Sequence, residues 1–388
     1  MFLKQFFTYL ACLIILNSCD HLVNESSVDL ALERCSDGVK NGKETGIDCG
    51  GDCPNNCIEI PYALSGEILG RVRLEKSVPY LLTGPLLIRD TSILEIDAGT
   101  IIRVMPDSGA YIAVAQGGKL FVFGSSQEPV LFTSDADQPK PGDWGGIIFL
   151  GKGLLNTNEI DRFPYGDYLY GGTKTEESSG WLNYVKIHYA GKKNQPALSL
   201  NGVNFPTTLQ NIEVEHAAGT GIQILGGNVS LEKIFIKNTE ESGIRISDGW
   251  TGSIKKIFVE NAQQSGIVLN NQKFEFNALP KTKAQLDQVT LMGAFKQAGI
   301  VLSDGLISGV LSNLYLEGAQ IGLYIAPSYN NPTQEGGVVI DKLQFISSHT
   351  EAQLYLGSLS QTVLSLGETN GAGSQAAYPD WLVDWKSN

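Results

Sequence analysis

Three charged residues in the second half of the chain have side chains suited to acid–base chemistry. Asp248 and Asp304 each follow a glycine by five residues, and Arg245 lies close to Asp248. An Arg base beside clustered carboxylates could abstract a proton, and two facing carboxylates could act as an acid and base pair. Asp also caps bends, because its short side chain bonds to neighbouring backbone. These residues are therefore catalytic candidates, with bend-capping the favoured role of the aspartates.

The N-terminus has the features of an export signal. Lys4 is followed by an apolar run of about 11 residues, which is too short to span a bilayer. The run ends in Leu16-Asn17-Ser18-Cys19, which resembles a bacterial lipobox. The resemblance implies removal of residues 1–18, diacylation of Cys19 and a tether over residues 19–34, whereas an ordinary cleaved signal is the alternative. Two acyl chains would anchor the protein stably to a membrane.

A cysteine-rich module is expected over residues 35–57. A local even set of cysteines in an exported chain indicates two disulfides with three open connectivities, and zinc is the competing interpretation. These cysteines are Cys35, Cys49, Cys53 and Cys57. Glycines alternate with oxygen-bearing side chains, so a Ca²⁺ site is conceivable, although a stapled turn with solvated carboxylates is favoured. The calcium candidates are Asp37, Asn41, Glu44 and Asp48.

An aromatic segment interrupts the middle of the chain and is the candidate ligand-binding loop. Exposed aromatic rings can stack on sugars or form a protein interface. The alternative is that the segment packs back on the body of the protein. The candidates are Phe163, Tyr165, Tyr168, Tyr170 and, farther along the chain, Trp250.

A repeat of short strands is expected to position the catalytic candidates and the aromatic candidates. Apolar residues alternate in pairs such as Ile234-x-Ile236, and Gly-Ile pairs such as Gly243-Ile244 recur about every 23 residues. This pattern predicts an all-β fold, a parallel β-helix over residues 60–375, in which stacking buries the apolar face of each coil. Residues 376–388 are expected to cap the last coil.

Outward side chains of successive coils should form a ladder along the strands. The predicted ladder is His188, Glu215, Lys237 and Glu260. Alternation places His188 and His216 on different sides of the chain, which argues against a metal site that uses both.

Several motifs resemble those of exported, mostly uncharacterised right-handed β-helix proteins of Bacteroidota, within the pectin-lyase-like fold. The cysteine module is similar to a motif found beside such domains. The matching segments of the β-helix are residues 94–102, 117–120, 129–134, 144–151 and 182–191. The resemblance implies a right-handed parallel β-helix preceded by a small disulfide-stapled module. It does not specify chemistry, because that fold hosts lyases, hydrolases, adhesins and scaffolds.

Composition narrows the functional classes. The formal net charge of −13 argues against nucleic-acid binding, which needs a basic surface. It also disfavours a polyuronate ligand unless Ca²⁺ bridges the charges. We expect a monomeric lipoprotein of the cell envelope, most plausibly in the outer membrane, that serves as a scaffold or binds glycans or surface proteins. The alternative is a carbohydrate-active enzyme, either a lyase or a glycoside hydrolase.

Overall fold

The structure is a computed structural model, and it divides into two compact units, Met1–Ile60 and Pro61–Asn388. It describes residues 35, 42–43, 49–54, 63–157, 160–162, 168–272, 278–305, 307–328, 337–357, 362–373, 379 and 381–382. In the first unit, a disulfide joins Cys35 to Cys53, and Cys49 is also disulfide-bonded. Cys19, Cys57 and the four calcium candidates lie outside the described residues.

The second unit is built from β-strands that form the parallel β-helix expected from the repeats, with the right-handed sense that the resemblance implies. The strands are β1 (Ala63–Ile68), β2 (Arg71–Leu74), β3 (Tyr80–Ile88), β4 (Ile93–Ile96), β5 (Ile101–Val104), β6 (Ile112–Val114), β7 (Lys119–Phe123), β8 (Val130–Ser134), β9 (Ile147–Leu150), β10 (Asp161–Arg162), β11 (Leu169–Tyr170), β12 (Gly180–His188), β13 (Leu198–Asn201), β14 (Thr208–Glu215), β15 (Ile222–Leu225), β16 (Ser230–Thr239), β17 (Ile244–Ser247), β18 (Ser253–Ala262), β19 (Ser265–Asn270), β20 (Lys283–Met292), β21 (Ala298–Ser303), β22 (Ser308–Glu317), β23 (Ile321–Ile325), β24 (Val338–Ile346), β25 (Gln353–Leu356) and β26 (Thr362–Leu366). No helix in the described part of the chain is long and apolar enough to cross a membrane.

Each coil contributes to three parallel sheets. Sheet A contains β2, β4 and β7, followed by the first halves of the long strands from β12 to β24. Sheet B contains β5, β8 and the second halves of those long strands. Sheet C contains β6, β9 and the short strands from β13 to β25. The antiparallel pair β10–β11 belongs to an insertion between β9 and β12.

Stacked aliphatic side chains fill the interior between the sheets. In sheet C, Ile222, Ile244, Ile267 and Ile300 lie in register on four successive coils, and all four are fully buried. Burial of each such side chain contributes about 1.5–3 kcal/mol to the free energy of unfolding. The repeated Gly-Ile pairs of the sequence are therefore the start of a continuous core column.

Left-handed residues make the bends between sheets. His216, Asn238 and Asn261 have φ near +56° at the same corner of successive coils, with values of 57°, 55° and 57°. Asn is one of the few residues that adopts this conformation at low cost, which explains its repetition there. Asn261 also donates from Nδ2 to Oδ1 of Asn238 at 3.4 Å.

The described C-terminal residues pack along the outer face of sheet B. Leu382 is fully buried against Phe235, Phe258 and Met292, which face outward from three successive coils. Thr290 Oγ1 accepts a hydrogen bond from Ala372 N at 3.0 Å. These contacts lie on coils before the last one, and a cap on the last coil stays a prediction.

Candidate functional site

Three partly exposed aromatic rings form a cluster on the outward face of sheet A. Phe121 and Phe123 are stacked, with ring centroids 6.2 Å apart. The ring of Phe123 meets that of Trp181 edge to face, with centroids 5.6 Å apart and an interplanar angle of 72°. β7 and β12 are hydrogen-bonded neighbours, with Phe121 opposite Trp181 and Phe123 opposite Asn183. We call Phe121, Phe123 and Trp181 the aromatic platform.

Alternation along β7 and β12 explains why these rings face outward. Leu120 and Val122 point into the core and are fully buried, so Phe121 and Phe123 must point to the other side. Leu182 is likewise fully buried, which turns Trp181 outward. Phe123 is 36% exposed. The platform is therefore fixed by the core residues beside it and needs no loop to hold it.

Hydrogen-bonding side chains continue the outward face of sheet A on both sides of the platform. Toward the N-terminus, Glu95 lies opposite Phe121 and binds Arg71 through both carboxylate oxygens, at 2.6 and 3.1 Å. Toward the C-terminus, one polar residue per coil follows in register. This row is Asn183, Gln210, Glu232, Lys255, Asp287, Ser312 and Asp341. We call it the polar row, and its members repeat about every 4.8 Å.

The aromatic residues expected to bind a ligand lie elsewhere, and the structure buries two of them. Trp250 is 0% exposed, and its indole Nε1 donates to the carbonyl oxygen of Val229 at 2.9 Å. Tyr170 is buried with Leu150 and Leu155, and the partly buried Tyr168 packs on the same cluster. Stacking on a sugar needs an open ring face, which Trp250 and Tyr170 lack in this structure. Phe163 and Tyr165 lie outside the described residues.

Asp248 and Asp304 occupy the corner after sheet C, as the repeat predicts. Their φ values are 57° and 51°. Asp248 N donates to Asn271 O at 2.8 Å, and Asn271 N donates to Asp304 O at 3.1 Å. The three residues thus lie on successive coils with Asn271 in the middle. Arg245 points outward from β17 and forms no ion pair within the described part of the chain.

The pKa of the Asp248 carboxyl group is raised. Burial, with the negative charge of Asp161 as a smaller cause, raises the pKa of Asp248 from its ordinary value of 3.8 to about 6, against a hydrogen bond from Ser247 that lowers it. Burial also raises the pKa of the neighbouring Tyr170 phenol, and the charges of Asp161 and Asp248 add to the effect. Asp161, Tyr170 and Asp248 form an acidic corner beside sheet C.

The sequence signal for the aromatic platform is a strand with Phe at two of its three outward positions. In the segment Lys119-Leu120-Phe121-Val122-Phe123, the aromatic residues alternate with the core residues. The pairing of this strand with β12, which carries Trp181, has no local sequence signal. β8, β9 and the insertion with β10 and β11 lie between the two strands in the sequence.

Three solved structures of a periplasmic alginate epimerase, AlgG, resemble the chain. One mutant form has a TM-score of 0.31 at 12% identity, covering 77% of this chain and 84% of that chain. The form without a stated substitution has a TM-score of 0.30 at 15% identity, covering 75% of this chain and 78% of that chain. No curated protein sequence matches the chain.

The family model described as "Pectate-lyase like beta helix domain" matches residues 66–386, which is most of the chain. The matched segment begins within β1 and takes in every later strand of the second unit. The chain therefore belongs to the pectate-lyase-like β-helix family.

Proposed function

We propose that this protein is an exported β-helix that binds a glycan chain along the outward face of sheet A without cleaving it. The observation that carries the proposal is the aromatic platform, whose rings lie on a rigid sheet and are followed by the polar row. Sugar rings have apolar faces that stack on aromatic side chains and hydroxyl groups that bond to polar ones. A face with a stacking surface at one end and a polar side chain on each following coil suits a repeating polymer.

The charge of the polar row favours some classes of glycan over others. The polar row contains Glu232, Asp287 and Asp341 against the single cation Lys255, and the whole chain carries a net charge of −13. A polyuronate would meet like charge along this face. A neutral glycan is therefore the ligand class that fits best.

The N-terminus supports export and membrane anchoring as part of the same proposal. In this view the chain is a lipoprotein of the Bacteroidota type, held in the outer membrane by acyl chains on Cys19. A surface protein rather than a glycan remains a second class of partner for the same face. Fractionation tests the anchor, because Cys19→Ala would release the protein from the membrane fraction, whereas an unchanged distribution would contradict it.

A carbohydrate-active enzyme is the second candidate, and the acidic corner is the observation that favours it. Asp248 has a pKa of about 6, so near neutral pH a fraction of it retains the proton that a general acid needs. Asp161 provides a second carboxylate nearby, as glycoside hydrolysis by two carboxylates requires. Arg245, on the same coil as Asp248, is the candidate base for a lyase.

A glycan array separates the two candidates. The full chain carrying Cys19→Ala would be applied with Ca²⁺ and with chelator, and both retention and reducing-end or unsaturated products would be scored. The binding proposal predicts retention without products. Products that the protein forms with Asp248 intact, and that the Asp248→Asn variant does not form, would instead establish a carbohydrate-active enzyme. Loss of retention with chelator would assign a role to Ca²⁺, for which the cysteine module holds the candidate ligands.

A further inference from the structure

A histidine and two glutamates converge on the outer face of sheet B, away from the aromatic platform. His188 Nε2 lies 2.7 Å from Glu213 Oε1, across the pair β12–β14. The ligand atoms of His188, Glu213 and Glu215 all lie within 4.8 Å of one another. The side chain of Glu213 is 4% exposed and that of His188 is 19% exposed, so the cluster is mostly shielded from water on one side and open on the other.

A second histidine lies beside the cluster, at the corner that follows β14. His216 Nε2 lies 3.5 Å from Glu215 Oε1. The left-handed φ of His216, 57°, turns its ring toward Glu215. The ligand atoms that lie within 4.8 Å of one another include that of His188 but not that of His216. The cluster therefore contains one imidazole and two carboxylates from two neighbouring coils, with His216 beside Glu215.

Neighbouring aromatic residues fix the two imidazoles. The ring of Tyr189 is stacked on that of His216, with centroids 5.2 Å apart and planes 3° from parallel. Trp144 Nε1 donates to the carbonyl oxygen of His188 at 2.8 Å, which holds the backbone of that residue. These contacts restrict the backbone of His188 and the ring of His216.

We propose that this cluster binds one divalent transition-metal ion, with Zn²⁺ the best match. One imidazole nitrogen and two carboxylate oxygens suit Zn²⁺ with water in the fourth position, whereas Ca²⁺ takes oxygen ligands. Zinc–ligand distances of about 2.0–2.2 Å place tetrahedral ligand atoms about 3.4 Å apart. The observed separations bracket this value, so small side-chain rotations would complete the site. The ion would replace the direct contact between His188 and Glu213 and would link two consecutive coils.

The alternative to a metal site is an ion-pair network, because two lysines lie near the glutamates. Lys186 lies opposite Glu213, and Lys237 lies opposite Glu215. Lys237 is directed to Glu260 on the following coil, at 3.5 Å. In a network without metal, removal of one histidine or one glutamate would change stability but would not change metal uptake. Metal uptake is therefore the discriminating measurement.

The test uses the full chain, kept oxidised so that the cysteine module retains its disulfides, and freed of metal with chelator. Zn²⁺ binding is measured by calorimetry, and coordination is measured by the visible absorption of the Co²⁺-loaded protein. The variants are His188→Ala, Glu213→Gln and Glu215→Gln, and Glu215→Gln is the mildest because its side chain is the most exposed of the three. His349→Ala is the matched control, since this histidine lies beyond β24 and its ring hydrogen-bonds to the carbonyl oxygen of Gly318.

The proposal predicts one equivalent of Zn²⁺, a higher melting temperature with Zn²⁺ and a tetrahedral Co²⁺ spectrum. Each variant should weaken binding by about 100-fold or more, because loss of even an outer partner of a metal site costs about 10–100-fold. His349→Ala should bind like the wild type. No Zn²⁺ uptake, or equal uptake by wild type and all three variants, would overturn the proposal, and the latter would place the ion elsewhere. Circular dichroism confirms that each variant is folded.

Discussion

The ring of Trp181 meets the ring of Phe123 edge to face, with centroids 5.6 Å apart, on the outward face of sheet A. The two residues belong to neighbouring coils, so their contact is set by the pairing of β7 with β12. Edge-to-face pairs contribute about 0.5–1.5 kcal/mol beyond their buried area. The contact orients both rings while part of each remains open to solvent.

Removal of platform rings should weaken glycan binding without unfolding the protein. We expect Phe123→Ala and Trp181→Ala each to lower affinity by about 10-fold, because each removes a stacking surface worth about 1–1.5 kcal/mol. Calorimetry with a glycan selected on the array measures the change. Tyr355→Ala is the matched control, since Tyr355 is 43% exposed on β25 in sheet C. Equal losses in the control and the platform variants would argue against the platform.

The raised pKa of Asp248 makes stability depend on pH. Below about pH 4 the carboxyl is protonated in both the folded and the unfolded chain. As the pH rises from about 4 to 6, the unfolded chain ionises first, so the contribution of this group to stability falls and is lost above about 6. Asp248→Asn should therefore raise the free energy of unfolding at pH 7.5 by up to about 3 kcal/mol and change it little at pH 3.5.

Denaturant titrations of Asp248→Asn at the two pH values measure this effect. Asp304→Asn is the matched control, because Asp304 has the same left-handed conformation at the corner two coils away. Asn adopts that conformation as readily as Asp. A gain for Asp248→Asn that does not change with pH would contradict the electrostatic explanation.

Close stacking of coils makes Gly180 sensitive to substitution. A Cβ atom at this position would overlap the carbonyl oxygen of Leu120, its partner across the β12–β7 pair, and its φ is +127°. We expect Gly180→Ala to lower the free energy of unfolding by about 3 kcal/mol. Gly109→Ala separates the effect of the overlap from the effect of the positive φ. Gly109 also has a positive φ, +71°, but no atom lies within 4 Å of a Cβ built there. It should cost about 1 kcal/mol, and equal costs would contradict the overlap.

The C-terminal segment should detach when Leu382 is shortened. Its side chain is fully buried against Phe235, Phe258 and Met292, and Leu→Ala changes at such sites cost about 2–5 kcal/mol. We expect Leu382→Ala to expose this segment to limited proteolysis before the β-helix unfolds. Leu366→Ala is the control, since Leu366 is 63% exposed. Equal protection of the segment in both variants would show that Leu382 does not hold it.

Features that repeat once per coil could be predicted from the sequence. The ladder of His188, Glu215, Lys237 and Glu260 lies in register on four successive strands, as the alternation predicts. The corner positions of Asn238 and Asn261 follow from the same repeat. Local periodicity decides these features, because parallel stacking repeats the same geometry in each coil.

Features that depend on a departure from the repeat could not be predicted. The burial of Trp250 depends on a hydrogen bond to Val229 on the preceding coil, and nothing in the local sequence indicates it. The aromatic platform depends on a pairing across the insertion that carries β10 and β11.

Hydroxyl-radical footprinting with a bound glycan tests the central claim most directly. The account predicts that the glycan protects Phe121, Phe123 and Trp181 from oxidation. Among the described tryptophans, Trp144 and Trp250 are fully buried, so a change at Trp181 can be distinguished from theirs. Protection of Tyr168 and the acidic corner instead, with the platform still oxidised, would contradict binding along sheet A and would direct attention to Asp248.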